Sequence, residues 1–207
     1  MIGYFDPLDY ETIGASIVRE LDGQPVQSLL ALERFDGAGL YALYYTGEHP
    51  AYAPLAKKNL ETPGSWPIYI GKAEVESARK GDPEFQKQAV GTKLYNRVQN
   101  HLKSIEAAEN LRAEDFQVRV LAVAPTWISL GEMVAIRHKR PVWNVLIDGL
   151  GNHDPGSGRY NSTRPRWDTL HPGRAWATKL VARAESVDAI VNEALNYLEF
   201  QSEENEK

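Results

Sequence analysis

Two tyrosines stand beside glycines in neighbouring apolar stretches of this 207-residue chain. Tyr41 follows Gly39-Leu40 in GLYALYYTG (39–47), and Tyr69 precedes Ile70-Gly71-Lys72 in PIYIGKA (67–73). A buried strand seldom needs a phenol followed at once by a Gly-Lys pair. Arg97 and His101 lie four positions apart, the spacing that puts two side chains on one face of a helix. Glu132 and Asn144 come later in the chain. Phenol and imidazole can move protons, a guanidinium fork fits oxyanions, and a carboxylate can hold a hard divalent cation. Taken singly, each residue has an ordinary explanation. A tyrosine is a core aromatic with a bonded hydroxyl, Glu132 a first-turn carboxylate favoured by the helix dipole, and Asn144 a turn former after Pro141. Arg97, His101 and Lys72 alone read as solvated surface. Only the joint pattern argues for chemistry.

The elements that must carry these residues follow from periodicity. Leu8, Ile13, Ile17 and Leu21 space a first helix over 8–21, ended by Asp22-Gly23. GLYALYYTG and PIYIGKA read as two antiparallel strands joined by a long exposed loop over 47–66, where prolines and glycines accumulate. A second long loop is expected over 74–92. Leu94, Val98, Leu102 and Ile105 predict an amphipathic helix over 93–105. FQVRVLAVA (116–124) alternates and is β-branched, a third strand, and SLGEMVAIRHKR (129–140) predicts a helix stopping before Pro141. Residues 148–174 are rich in Gly, Pro, Asn and Arg and predict irregular surface backbone; 185–200 predict a last helix. The fold class expected is α+β: a small central antiparallel sheet of about three strands flanked by helices, with long loop insertions, in a single domain over 1–207.

Familiar catalytic patterns are absent. Gly71-Lys72 is followed by Ala73 and preceded by Trp66 where a phosphate loop needs glycine. GLGNHDPGSG (149–158) does not give the dinucleotide fingerprint, and no H-E-x-x-H or G-x-S-x-G occurs. The chain has no cysteine, which excludes disulfides and thiolate metal sites. No run of about 18 apolar residues occurs and the N-terminus is acidic, so a cytoplasmic protein without membrane contact is expected. The net charge is −5, but it is unevenly spread: residues 137–183 hold nine Lys/Arg against three Asp/Glu, between acidic flanks. At physiological salt, exposed charges act over roughly 8–10 Å, so this basic stretch can grip phosphates despite the overall sign. An ordinary solvated basic surface fits the charge equally well.

In their order along the chain, GLY (39–41), YIG (69–71), Arg97-x-x-x-His101, Glu132 and Asn144 resemble the GIY-YIG nuclease superfamily. Leu40 departs from the first motif conservatively, since an apolar strand residue suffices there. The blocks GLYALYYTG, PIYIGKA, WNVLIDGLGNH (143–153) and the Trp167, HPGR (171–174), Trp176-Ala177 cluster are similar to the type II restriction endonucleases of this fold that cut CCGCGG. That likeness covers roughly residues 24–180.

The resemblance implies Mg²⁺- or Mn²⁺-dependent hydrolysis of double-stranded DNA at a G·C-rich palindrome. Glu132 would hold one cation, Arg97 the scissile phosphate, and Lys72 would add positive charge. Tyr41 is the family's candidate general base. A free phenol is ionised about one part in a thousand at pH 7, whereas an imidazole is the readier base, so His101 would take the Tyr41 proton or act directly. Tyr69 would orient water or phosphate, and Asn144 would support the site. The strand glycines are expected to let the phosphate backbone approach. Arg159, Arg164, Arg166, His171 and Arg174, with Asn152, Asn161 and Ser162, would contact DNA, arginine being the residue that reads guanine. Lys57, Lys58, Arg79, Lys80 and Lys87 on the two long loops would wrap the duplex. A palindrome implies a homodimer on DNA, and a restriction enzyme implies a cognate methyltransferase. The alternatives are a repair or homing nuclease of the same superfamily, or a DNA-binding module without chemistry.

Overall fold

The computed structural model describes residues 9–74 and 91–205. Helix α1 (Tyr10–Gly23) starts at Asp9, whose carboxylate accepts from the Glu11 N–H. There follow β1 (Gln27–Ser28), β2 (Gly39–Tyr45), α2 (Ala53–Glu61), β3 (Pro67–Ala73), α3 (Lys93–Ala107) and β4 (Phe116–Ala122). Helices α4 (Pro125–Lys139), α5 (Val142–Val145), α6 (Arg166–Leu170) and α7 (Val187–Asn205) complete the described chain. The strands form one antiparallel sheet in the order β1-β4-β2-β3. This is the expected α+β architecture with one strand more. The extra strand, β1, has two residues and therefore no periodicity to read.

Strand β2 is central and all seven of its residues are buried. Side chains alternate across a strand, and here the two faces serve two cores. Tyr41, Leu43 and Tyr45 enter the larger one, with residues of α2, α3, α5 and α7. Leu40, Ala42 and Tyr44 enter the smaller one, with Val18 and Leu21 of α1 and Ile128, Val134 and Ala135 of α4. The strand is flanked by helices on both faces, which is why it reads as a nearly unbroken apolar run.

Two expectations fail. Residues 47–66 are not a long exposed loop. A 3-10 turn at Pro50–Tyr52 leads into α2, and Tyr52, Leu55 and Asn59 are buried. Pro50 and Pro54 occupy first-turn positions, where proline lacks no needed N–H. Asn59 fastens the segment: its amide donates to the Tyr45 and Trp66 carbonyls at 3.1 and 2.9 Å and accepts from the Trp66 N–H at 2.9 Å. Lys57 and Lys58 therefore ride on a packed helix, with Lys58 5.7 Å over the Trp66 ring, and do not lie on a loop that wraps a duplex. Arg79, Lys80, Lys87 and most of the expected loop over 74–92 fall outside the described residues. The second failure concerns 148–174. The segment is largely irregular, but Trp167, Asp168, Leu170, His171 and Arg174 are buried. Aromatic area and a paired charge pull it inward.

The remaining elements match their patterns in type, although α7 runs to Asn205, five residues past its expected end. Helix α4 begins four residues earlier than the spacing suggests, with Pro125 at its first turn, and ends at left-handed Arg140 just before Pro141. Among the described residues, no helix is long and apolar enough to cross a membrane.

Candidate active site

Strands β2 and β3 pair so that Leu43 faces Tyr69 and Tyr41 faces Gly71. Partners directly opposite share a face, so both phenols lie on the α3 side of the sheet. Their ring centroids are 6.1 Å apart. Gly71 is what admits Tyr41: a β-carbon there would sit 2.3 Å from the Tyr41 hydroxyl oxygen. The expectation that this glycine opens the strand to a phosphate is thus corrected. The space that it leaves is filled by the protein's own phenol.

Helix α3 buries Leu94, Val98, Leu102 and Ile105, and the same face carries His101 onto the sheet. The Tyr41 hydroxyl meets His101 Nε2 at 2.5 Å, with both residues almost wholly buried. The His101 ring lies 5.2 Å from Tyr69. Arg97, one turn earlier, is half-buried beside the two phenols and favours their ionised forms. Burial wins over it: the Tyr41 phenol is pushed well above its usual range by desolvation and then by Tyr69, with Arg97 opposing. Burial, then the charge of Arg97, pulls the His101 imidazole down to about 3. At neutral pH the pair is therefore a neutral phenol and a neutral imidazole, and the hydroxyl donates to the ring nitrogen.

The same burial sets a stability prediction. His101 and His171 both have folded pKa values below the unfolded 6.5. Their neutral burial contributes fully above pH 6.5 and is lost as pH falls below it, because the unfolded chain then binds protons that the folded chain refuses. Between pH 7.5 and 5 the His101 contribution should fall by roughly 2 kcal/mol, and His171 adds a loss of the same sign. Glu132 and Asp168, pushed up by burial, act in the opposite sense in the carboxylate range. Urea midpoints should fall over this interval, and His171→Asn should make the decline shallower. A flat profile would contradict the neutral buried histidines.

On the other face of β3, Lys72 pairs with Leu40 and so projects toward α4. Its ammonium lies 3.3 Å from Glu132 Oε2 and 2.9 Å from Glu74 Oε1, and donates to Ser129 Oγ at 2.6 Å. Ser129 Oγ donates to Glu74 in turn. Glu132 is half-buried, and desolvation raises its carboxyl against the pull of Lys72. Its charge is felt at Tyr69, and that of Arg97 at Glu132. The site thus straddles the edge strand: phenols, imidazole and guanidinium on one face, ammonium and carboxylate on the other. Glu74 and Ser129 were not legible as members, because only the fold brings them to Lys72.

Asn144, in the short helix α5, holds that edge. Its Oδ1 accepts from the Ile70 N–H and its Nδ2 donates to the Ile70 carbonyl, both at 2.8 Å. The amide acts as one peptide unit of a missing neighbour strand, between Tyr69 and Gly71. Asn144→Ala strands both backbone groups and should cost about 1–3 kcal/mol, measured as a lower urea midpoint. An unchanged midpoint would show that β3 does not depend on the clamp.

The five basic residues expected to contact DNA are placed very differently. Arg159 is exposed on a groove of about 390 Å³ that also involves Gly151, Asn152, His153, Ser162 and Trp176. Arg164 is half-buried and donates to the Ala177 carbonyl at 3.0 Å. Arg166 is held by Glu185, Glu193 and the Leu146 carbonyl. His171 is 0% exposed and lies between the Tyr52 hydroxyl at 2.7 Å and Asn110 Oδ1 at 2.9 Å, inside an aromatic cluster with Trp143 and Trp167. Arg174 is buried against Asp168. For Arg166, His171 and Arg174 the expectation is corrected: carboxylates, carbonyls and rings already occupy their donors and faces. Their arginine-rich sequence neighbourhood resembles a DNA-reading surface only until the acidic partners Asp168, Glu185 and Glu193 are in place.

The groove meets the cluster at Gly151, where a β-carbon would lie 3.1 Å from Arg97 Nη2 and 3.5 Å from the Tyr69 hydroxyl. A nuclease has a use for this arrangement: proton-transfer groups, a phosphate fork and a carboxylate at one strand edge, opening on a groove with polar walls. No curated protein matches the chain. The family model described as the Eco29kI GIY-YIG domain matches residues 33–198, about four-fifths of the chain, and the match spans β2, β3, α3, α4 and the groove. The chain belongs to the Eco29kI GIY-YIG family of restriction endonucleases, enzymes whose partner is DNA.

Proposed function

We propose that the chain is a type II restriction endonuclease that hydrolyses double-stranded DNA within a short G·C-rich palindrome, CCGCGG, with Mg²⁺ or Mn²⁺ at Glu132. The observation that carries this reading is the 2.5 Å contact between the Tyr41 hydroxyl and His101 Nε2, beside Arg97 and Tyr69. The pair lies within the matched family segment, which supports reading it as chemical.

The donor set fits such a cation. Among the described residues, no group of three or more His, Cys, Asp or Glu could form a closed metal cage. One half-buried carboxylate is what Mg²⁺ commonly takes from a protein when phosphate oxygens and waters supply the rest. Bound there, the ion would supply charge stabilisation at phosphorus. Glu132 would hold it, while Lys72, now 3.3 Å from that carboxylate, would turn its charge toward the phosphate.

Arg97 grips the scissile phosphate through its fork. The phosphate's charge raises the basicity of His101, which accepts the Tyr41 hydroxyl proton at Nε2. Tyr41 takes a proton from the attacking water. The water oxygen bonds to phosphorus as the bond to the leaving oxygen breaks, and the leaving oxygen takes up a proton from solvent. Tyr69 orients the water, and Asn144 keeps β3 in register behind it. Arg159, with Asn152 and Ser162 on the groove, contacts the duplex.

One such site cuts one strand, so a palindrome is cut by a homodimer. The enzyme acts in the cytoplasm alongside a methyltransferase that protects the host's own sites. The test uses two duplexes differing only in the palindrome, one containing CCGCGG and one with a single half-site inverted. With Mg²⁺, double-strand cleavage of the first and not of the second is expected. Equal cleavage of both would overturn the specificity, and nicking of one strand only would overturn the dimer.

A further inference from the structure

Arg174 spends every donor it has inside the protein. Its Nε and Nη2 clamp Asp168 at 2.7 and 2.6 Å. Nη2 also donates to the Gly149 carbonyl at 2.8 Å, and Nη1 to the Leu150 and Asn152 carbonyls at 3.0 and 3.1 Å. Nη1 further reaches Ser104 Oγ at 3.4 Å. The guanidinium carbon lies 4.5 Å from the Trp167 ring centre and 4.8 Å from that of Trp176. A guanidinium has five N–H donors in a rigid plane, and these contacts use that geometry fully.

The contacts converge on one short loop. Residues 149–152 have no ladder of their own to hold them, and three of their carbonyls end on Arg174. The other side of the loop faces the catalytic cluster: a β-carbon on Gly151 would lie 3.1 Å from Arg97 Nη2, 3.5 Å from the Tyr69 hydroxyl and 3.8 Å from His101 Cε1. Ser104 is on α3, three residues beyond His101. One side chain therefore touches both the helix that carries Arg97 and His101 and the loop that closes over them.

We propose that Arg174 is a positioning residue for the active site, fixing the 149–152 backbone against Arg97, Tyr69 and His101 with Asp168 as its counter-charge. It rests on the nuclease reading of that cluster. The loop shields His101 from water and limits Arg97 to the orientation that meets a phosphate. The same loop forms one end of the groove that includes Arg159, so DNA seated there presses on a backbone that Arg174 has already placed.

Arg174→Lys tests this on the full chain. Lysine keeps the charge opposite Asp168 but has three donors and no plane, so it cannot hold the carboxylate and three carbonyls together. Binding of the CCGCGG duplex in EDTA should stay within about 3-fold of wild type, while the single-turnover cleavage rate should fall by about 100-fold, the scale of a misplacement near 1 Å. The His101 Cε1 proton, followed by NMR, should titrate at higher pH than in wild type as water enters. Gly151→Ala is the second variant. It leaves the Arg174 contacts intact and pushes on Arg97 from the loop, so the rate should fall with the melting temperature unchanged. A wild-type rate in folded Arg174→Lys would overturn the proposal. So would a rate loss wholly accounted for by weaker duplex binding, which would make Arg174 a DNA contact. If wild type cuts no duplex, the nuclease reading has failed, and the His101 titration still decides whether Arg174 positions the loop.

Discussion

Glu132→Gln should lower the single-turnover cleavage rate by at least about 10³-fold while duplex affinity stays unchanged or rises. The substitution keeps the shape and removes the charge that would hold the cation. The fold should tolerate it. Glu132 is only half-buried, its ion pair with Lys72 is solvent-accessible on both sides, and such pairs contribute at most about 1 kcal/mol. Removing a negative charge near the path of a phosphate backbone also favours binding. Cleavage measured beside binding in EDTA separates the readings cleanly. A nuclease loses cutting and keeps DNA, whereas a non-catalytic module has no cutting to lose. Retained cleavage in Glu132→Gln would remove this carboxylate from the chemistry.

Tyr41→Phe should be nearly as severe, about 10²- to 10⁴-fold, the range for loss of a proton-transfer group. The ring is fully buried in the larger core, so phenylalanine keeps the packing. The hydroxyl's bond to His101 Nε2 is lost and the imidazole is left without that partner, a cost of about 1–3 kcal/mol. His101→Ala should lose a comparable factor, and the double variant should lose little more than either single one, because the two act as one unit. If Tyr41→Phe retains activity within about 10-fold while His101→Ala does not, the imidazole takes the water's proton directly and the phenol only orients it.

These expectations descend from residues that the sequence already set apart. The i, i+4 spacing of Arg97 and His101 survives intact because α3 is amphipathic and its buried face is clear. The shared face of Tyr41 and Tyr69 follows from strand parity once β2 and β3 pair. What could not be read depends on contacts distant along the chain. The 47–66 segment looks like a loop because prolines at helix starts and prolines in loops are the same letters. Gly71 looks like an opening for substrate until the register puts Tyr41 opposite it. His171 and Arg174 look like surface donors because composition does not reveal that Tyr52, Asn110 and Asp168 satisfy them. In each case a polar residue's partner, not its type, decides whether it faces water.

The most direct measurement is digestion of supercoiled plasmid by the wild-type chain with Mg²⁺, with and without EDTA, followed by sequencing of the ends. Discrete fragments, abolished by EDTA, are expected, with ends that fall within one G·C-rich palindrome. Intact plasmid that is nonetheless bound, or cutting that persists in EDTA, would contradict the metal-dependent nuclease reading.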